Sequence, residues 1–263
     1  MKENIKDCFP EWWKAINNER YYLVLTNDLD SWLSCLYLSK KFGVEIGGFY
    51  DFKSLWVNDK ANGKEPIYVD CDLTNSKAFG NHVQGIANPQ SINLNRGINQ
   101  HNYTNKYAGS TLMMLFSLYG ESFNYFNDEQ IKLLLCVDSW FKQRFTFPEK
   151  WDNWVDIMEL DLLNGIVTQG TTDYYYNLII DYGLNKNIEI DSNGRLMCGI
   201  DLEKISHSKG LFIENPNGLV FDKKIKDFNT LNANINIDIP DYINIFSSAM
   251  VYCNRVSFSY FYR

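Results

Sequence analysis

Four short segments put acidic or imidazole side chains where chemistry is usually done. In Thr26-Asn27-Asp28-Leu29-Asp30-Ser31, two aspartates stand two residues apart directly after the apolar run YYLVL. Ligands of a parallel sheet collect at the carboxyl ends of its strands. In an extended chain residues i and i+2 point the same way, and two carboxylates held together are costly unless a cation neutralises them. The plainer assignment makes Asp30 the N-cap of the following helix and Asp28 a solvated loop acid. Asp70-Cys71-Asp72 repeats the spacing at the end of the apolar run IYV. Gly80-Asn81-His82 follows Ala78-Phe79 and carries one of only three histidines. A lone histidine is more often a surface or core residue than a ligand. Asp138 ends the apolar helix predicted over 131–137, IKLLLCV. A negative charge there opposes the helix macrodipole, and sequences break local rules most often at functional sites.

The elements that must position these residues follow from apolar periodicity. Residues 21–25 read as a buried strand, 31–42 as a helix with Gly43 at its C-cap, 44–50 as a second strand and 67–69 as a third. A short leading helix ends near Asn17. Residues 83–105, rich in Asn, Gly, Gln and Ser, form a 23-residue irregular loop, of a length that tends to be functional or mobile. Helices are predicted over 106–119 and 128–137, and 150–182 is mostly helical. Past residue 188 the texture turns to strands: Asn217-Gly218 between apolar runs signals a hairpin, and 242–263 reads as two strands turning near Asn254. The expected fold is α/β: a parallel-sheet domain over 1–187 with helices on both faces, and a small antiparallel β appendage over 188–263.

Composition narrows the function classes. Hydrophobic residues are 45% and charged residues 22% of the 263, enough for a core without staples. A net charge of −7 argues against broad adhesion to extended duplex nucleic acid or anionic membrane. It still admits a small acidic substrate, because bound divalent cations reverse the local sign. The six cysteines are scattered without CxxC spacing, and Cys35, Cys136 and Cys253 sit among apolar neighbours as core thiols would. A reducing, cytoplasmic location is expected, with no signal peptide in the opening MKENIKDCFPEWWK and no membrane-length apolar run. Oligomeric state is not legible.

The order of the four segments resembles the DHH family of phosphoesterases, whose members carry H-x-D-x-D-G-x-x-S, a single Asp, the D-H-H triplet and a later Asp. Here the first element reads TNDLDSWLS, the single Asp matches Asp70, the triplet matches Gly80-Asn81-His82, and the later Asp matches Asp138 in LLCVDSW. The segment YAGSTL is similar to the helix after the triplet. The likeness spans roughly residues 20–140. Thr26 stands where the family has a metal-binding His, Ser31 where it has Gly, and Gly80-Asn81 where it has Asp-His; the family's Gly-rich C-terminal motif is absent. The resemblance implies Asp28, Asp30, Asp70, His82 and Asp138 as metal ligands, an oxygen-rich set suited to Mn²⁺ or Mg²⁺, one or two ions. It makes Asp70 the bridging carboxylate, His82 a ligand or a phosphate-orienting group, and Asn81 a hydrogen-bond donor to phosphate. The implied activity is metal-dependent hydrolysis of a nucleotide, short oligonucleotide or other small phosphate ester. The alternatives are an inactive relative that binds a phosphorylated ligand, or an interaction scaffold using aromatics such as Tyr260, Phe261 and Tyr262. His101, His207, Arg195, Arg255, Arg263 and the Trp12-Trp13 and Trp151/Trp154 pairs read more simply as surface or packing residues.

Overall fold

The computed structural model describes residues 1–263. A four-residue helix, α1 (Glu3–Lys6), leads into the central sheet. Strand β1 (Tyr21–Leu25) is buried along its whole length, as a run with both faces covered must be. It is followed by α2 (Leu29–Phe42), which Asp28 N-caps by accepting from the Ser31 N–H and Gly43 ends in the left-handed conformation. Strands β2 (Ile46–Tyr50), β3 (Ser54–Val57), β4 (Glu65–Val69), β5 (Ala78–Phe79) and β6 (Ser91–Ile92) come next. Helix α3 (Thr111–Leu118) is buried at all eight positions, and α4 (Asp128–Leu134) opens on an Asn127/Gln130 capping box.

Four more helices follow: α5 (Phe141–Thr146), α6 (Pro148–Met158), α7 (Leu162–Val167) and α8 (Thr172–Tyr182). The hairpin β7 (Ile188–Ile190) and β8 (Leu196–Cys198), helix α9 (Leu202–Lys209) and strands β9 (Lys223–Asp227), β10 (Asn229–Asn234), β11 (Ile243–Tyr252) and β12 (Arg255–Tyr262) complete the chain. No helix is long and apolar enough to cross a membrane.

The main sheet has seven strands in the order β6-β5-β4-β1-β2-β3-β9. Its pairs from β6 through β2 are parallel, and β3 and β9 extend it antiparallel. The architecture is thus α/β with a mostly parallel sheet and a small antiparallel sheet, β10-β12-β11, at the C-terminus.

The alternation along β1 separates two cores. Tyr21, Leu23 and Leu25 join a 55-residue cluster built largely with the helices. Tyr22 and Val24 join a ten-residue cluster with Tyr50, Tyr68 and Phe228, against which Phe246 and Phe261 pack. No α-helix contributes to that second cluster, so the expectation of helices on both faces is corrected: the C-terminal sheet takes the second face.

Three local expectations also change. Asn217-Gly218 lies in a single 3-10 turn, Pro216–Gly218, instead of a hairpin. Cys253 is exposed at the β11–β12 turn. Residues 188–221 supply Ile188, Leu196, Ile205 and Phe221 to the large core, and β9 pairs with β3, so the separate sheet begins only at Asn229. The segment 83–105 is held by asparagine side chains: Asn88 Nδ2 donates to the Ser76 carbonyl (2.9 Å), and Asn95 Nδ2 to the carbonyls of Asn81 (2.6 Å) and Tyr107 (3.0 Å).

Candidate metal centre

Asp30 lies in the first turn of α2, with 1% of its surface exposed. Its carboxylate is turned onto the start of α3, where Oδ2 accepts from the Thr111 N–H (2.6 Å) and Oδ1 from the Leu112 N–H (2.9 Å). These are donors that a helix start leaves without partners, and they favour negative charge. Ser34 Oγ adds a longer bond to Oδ1 (3.3 Å). Asp70 follows β4 directly, is buried, and accepts from Thr111 Oγ1 (2.9 Å). Asp138 follows α4 and is exposed.

Asp70 (φ 58°) and Asp138 (φ 53°) both occupy the left-handed region, as does Ser139 (φ 58°). Such backbone is disfavoured outside glycine and gathers at functional sites. One carboxylate oxygen from each of Asp30, Asp70 and Asp138 lies within 4.8 Å of the other two, a group that can hold a metal ion.

The charges strain against one another. Burial pushes the Asp30 and Asp70 carboxyls well above the usual range, and their acidic neighbours push further in the same direction. Asp28 is pushed up to about 6, first by loss of solvent and then by Asp138. Asp28 caps α2 through Ser31 (3.0 Å) and lines the adjoining cleft, outside the group of three.

Asn81 is drawn into the acidic group. Its Nδ2 donates to Asp30 Oδ2 (3.3 Å), to the Gly109 carbonyl (3.1 Å) and to Asp138 Oδ2. Three acceptors face one NH₂ group, while the buried Asn81 Oδ1 has no partner. An amide nitrogen therefore supplies the partial positive charge between two carboxylates, and its own acceptor stays orphaned, a cost of about 1–3 kcal/mol.

His82 sits apart from the three carboxylates, its side chain 49% exposed. Its Nδ1 pairs with Asp72 Oδ2 (3.1 Å), and its backbone N–H reaches the same oxygen (3.3 Å). Asp72 is buried, and Asn93 Nδ2 donates to its other oxygen (2.7 Å). Loss of solvent pulls the imidazole down, but the bond and charge of Asp72, with help from Asp138, leave it raised above its ordinary value.

Position 80 has room for glycine alone, since a Cβ there would stand 2.5 Å from Asp72 Oδ1. Ser31 and Thr26 are structural: Ser31 Oγ donates to the Val69 carbonyl (2.8 Å), and Thr26 Oγ1 to the Asp70 carbonyl (3.3 Å).

Asp70, alone of the three, lines a cleft of about 220 Å³, with Asp28, Asp72 and His82 beside it and Ser247, Ser257 and Ser259 of the C-terminal sheet across from it. The four segments singled out in the sequence thus converge, with Asp30, Asp70 and Asp138 in one group, Asn81 bonded to two of them, and Asp28 and His82 at the cleft. Asp72, Thr111 and the C-terminal serines were not assigned roles from sequence. The repeated D-x-D spacing is the signal that carried Asp72, and the i, i+2 serines of β12 the one that carried Ser257 and Ser259; Thr111 and Ser247 had no such local signal. His101 is exposed beside Gln100, and His207 caps a turn of its own helix on the Glu203 carbonyl (2.8 Å). Trp12, Trp13, Trp151 and Trp154 are buried packing residues.

Comparison with protein-family models, curated proteins and solved structures finds no match to this chain.

Proposed function

We propose that this chain is a divalent-metal-dependent phosphoesterase of the DHH kind, acting on a nucleotide, a short oligonucleotide or another small phosphate ester. The observation that carries the reading is the convergence of Asp30, Asp70 and Asp138 on a point beside a hydroxyl-lined cleft. An all-oxygen carboxylate set suits Mn²⁺ or Mg²⁺. The raised Asp30 and Asp70 carboxyls and the orphaned Asn81 Oδ1 fit a centre that a cation would relieve. A bound divalent ion supplies Lewis acidity toward a phosphoryl oxygen.

The chain's own residues do the rest. Thr111 and the start of α3 fix Asp30 and Asp70, so the ligand oxygens need little rearrangement. Asp72 holds His82 Nδ1 and leaves Nε2 to orient the phosphate or to hand a proton to the departing oxygen. Ser257 and Thr230 offer hydroxyls to the ester across the cleft, while Ser247 and Ser259 are bonded to each other and to Tyr50 behind them. Thr26 and Asn81 supply no imidazole, which favours one ion over two.

Metal-stripped protein titrated with Mn²⁺ by calorimetry, beside Asp70→Ala, tests the centre. The expected result is micromolar binding that the substitution abolishes, with Mn²⁺-dependent hydrolysis across a panel of phosphodiesters. No binding by the unaltered protein overturns the proposal.

One observation favours a second reading, binding of a phosphorylated ligand without turnover. The Asn81 amide bridging Asp30 and Asp138 already satisfies part of their charge. Ligand binding with no hydrolysis at saturating Mn²⁺ selects that reading.

A further inference from the structure

The two larger sheets present four edges, and three of them are guarded. Strand β6 is only two residues long, and β9 carries Lys223, Lys224 and Lys226. β11 is sealed against the main body by bridges at Leu73–Ser247 and Gln84–Ala249. Short strands, edge lysines and covering segments are the devices that keep a sheet edge from pairing with another chain. β10 has none of them. Its sequence, NTLNAN, includes no charge and no proline, and it pairs with β12 in an unbroken register from Asn229–Tyr260 to Asn234–Arg255. Five of its six residues are exposed, and no other strand or side chain bonds to the side away from β12. Alternate N–H and C=O groups on that side are therefore left to solvent. Beside them runs an open groove lined by Leu231, Ala233, Ile235 and Ile237, with Leu231 39% exposed.

The two ends of β10 differ in charge. β9, just before it, has three lysines against one aspartate, whereas residues 235–242, just after it, have Asp238 and Asp241 and no cation. Lys224 pairs with Asp227 (2.8 Å), and Lys223, Lys226, Asp238 and Asp241 have no ion-pair partner in the chain. We propose that the occupant of this edge is a second copy of the chain, with β10 antiparallel to β10 about a two-fold axis, so that the two C-terminal sheets join into one of six strands. A two-fold sets the same patch against itself, and antiparallel order brings the lysine end of each strand beside the aspartate end of the other. A parallel arrangement would set like charges together. Lys224 and Asp238 each stand seven residues from Leu231, so a ladder centred on Leu231 matches them in count and sets the two leucines face to face. The uncharged strip from Asn229 to Ile237 is also where two chains of net charge −7 meet with least repulsion. Thr230 of the same strand lines the cleft, so the second copy stands beside the cleft mouth. The pairing asks nothing of the metal centre.

Sedimentation velocity of the full chain over a range of roughly 1–200 µM tests this, in reducing buffer because Cys8 and Cys253 are exposed. The expected result is a monomer passing to twice its mass with a dissociation constant on the order of 10 µM, the scale of a small, transient interface. Hydrogen exchange at both ends of that range locates the contact: the amides of residues 229–234 should exchange more slowly at the high concentration. Leu231→Lys sets two ammonium groups face to face at the axis and should raise the dissociation constant at least about tenfold. Its melting temperature, compared with that of the parent, reports whether the variant is folded; if it is not, the exchange measurement on the unaltered protein decides. A monomer throughout the range, a dimer whose β10 amides exchange as in the monomer, or a dimer that persists in folded Leu231→Lys overturns the proposal.

Discussion

The carboxylate that orients His82 comes from Asp72, at the end of β4, and it fills the space that a side chain at position 80 would need. Glycine at 80 and aspartate at 72 are therefore a matched pair, in which the acid is delivered from the strand end and the triplet position gives way. Asp72 holds the imidazole without lining the group of three carboxylates. Asp72→Ala should lower kcat about 10- to 100-fold, as loss of an orienting partner does, while Mn²⁺ affinity stays within about twofold. Kinetics beside a metal titration check this. An unchanged kcat would mean that Asp72 serves only the packing of its loop.

At this scale the sequence displayed every acid of the centre, because strand ends and D-x-D spacing are local signals. It could not display the bonds that Asn81 makes to Asp30 and Asp138, which cross 51 and 57 residues, nor the pairing of His82 with Asp72.

Elements hold these residues through their ends. The start of α3 meets Asp30 and Asp70 together, so the register of one helix sets two of the three carboxylates. Behind it, α4, α8 and α9 are tied at Glu129, which accepts from Tyr174 Oη (2.6 Å) and Lys209 Nζ (2.6 Å) and pairs with Lys132. Lys132 first, then Lys209 and Tyr174, depress the Glu129 carboxyl from 4.5 to about 2. A depressed folded-state value means the unfolded chain binds the proton first. The contribution is therefore present above about pH 4.5 and is lost as the pH falls toward about 2. Glu129 is 45% exposed, so solvent weakens the pairing, and the expected effect is a modest difference in slope. Urea midpoints between pH 5 and 3 should fall less steeply for Glu129→Gln than for the parent; parallel curves would contradict it.

The helices and inner strands were legible because their apolar spacing is their own. Strand β9, KKIKD, was not, because it has no apolar alternation and joins the sheet edge by backbone pairing with β3. The covering of the second face was hidden for a related reason, since Phe246 finds Tyr50 and Tyr68, and Phe261 finds Phe228, only after the chain has passed through every helix.

Over the whole molecule, the two cores divide the labour. Asp30, Asp70 and Asp138 all belong to the body organised around the 55-residue cluster, whereas the serines across the cleft ride on a sheet attached through a ten-residue cluster and a seam of backbone bonds. That seam runs from Ser248 N–H to the Asp72 carbonyl (2.8 Å), from Gly85 N–H to the Ser248 carbonyl (3.1 Å) and from Met250 N–H to the Val83 carbonyl (2.7 Å). Tyr50 adds a hydroxyl bond to Ser247 (3.1 Å), which in turn bonds Ser259 (2.9 Å). Gly85 is the tightest point, because a Cβ there would meet Ser248 Oγ and stand 2.6 Å from Val256 Cγ2. Gly85→Val should push the C-terminal sheet outward at the cost of overpacking, about 1–3 kcal/mol. Calorimetric melting should then fall by roughly 2–12 °C for a chain of this size. Substrate KM should rise as Ser257 withdraws, while Mn²⁺ binding stays near that of the parent, because no carboxylate of the group lies on the displaced sheet. Loss of Mn²⁺ binding together with substrate affinity would make the sheet part of the metal centre itself, and the division into a metal-holding body and a substrate-facing cover would not stand.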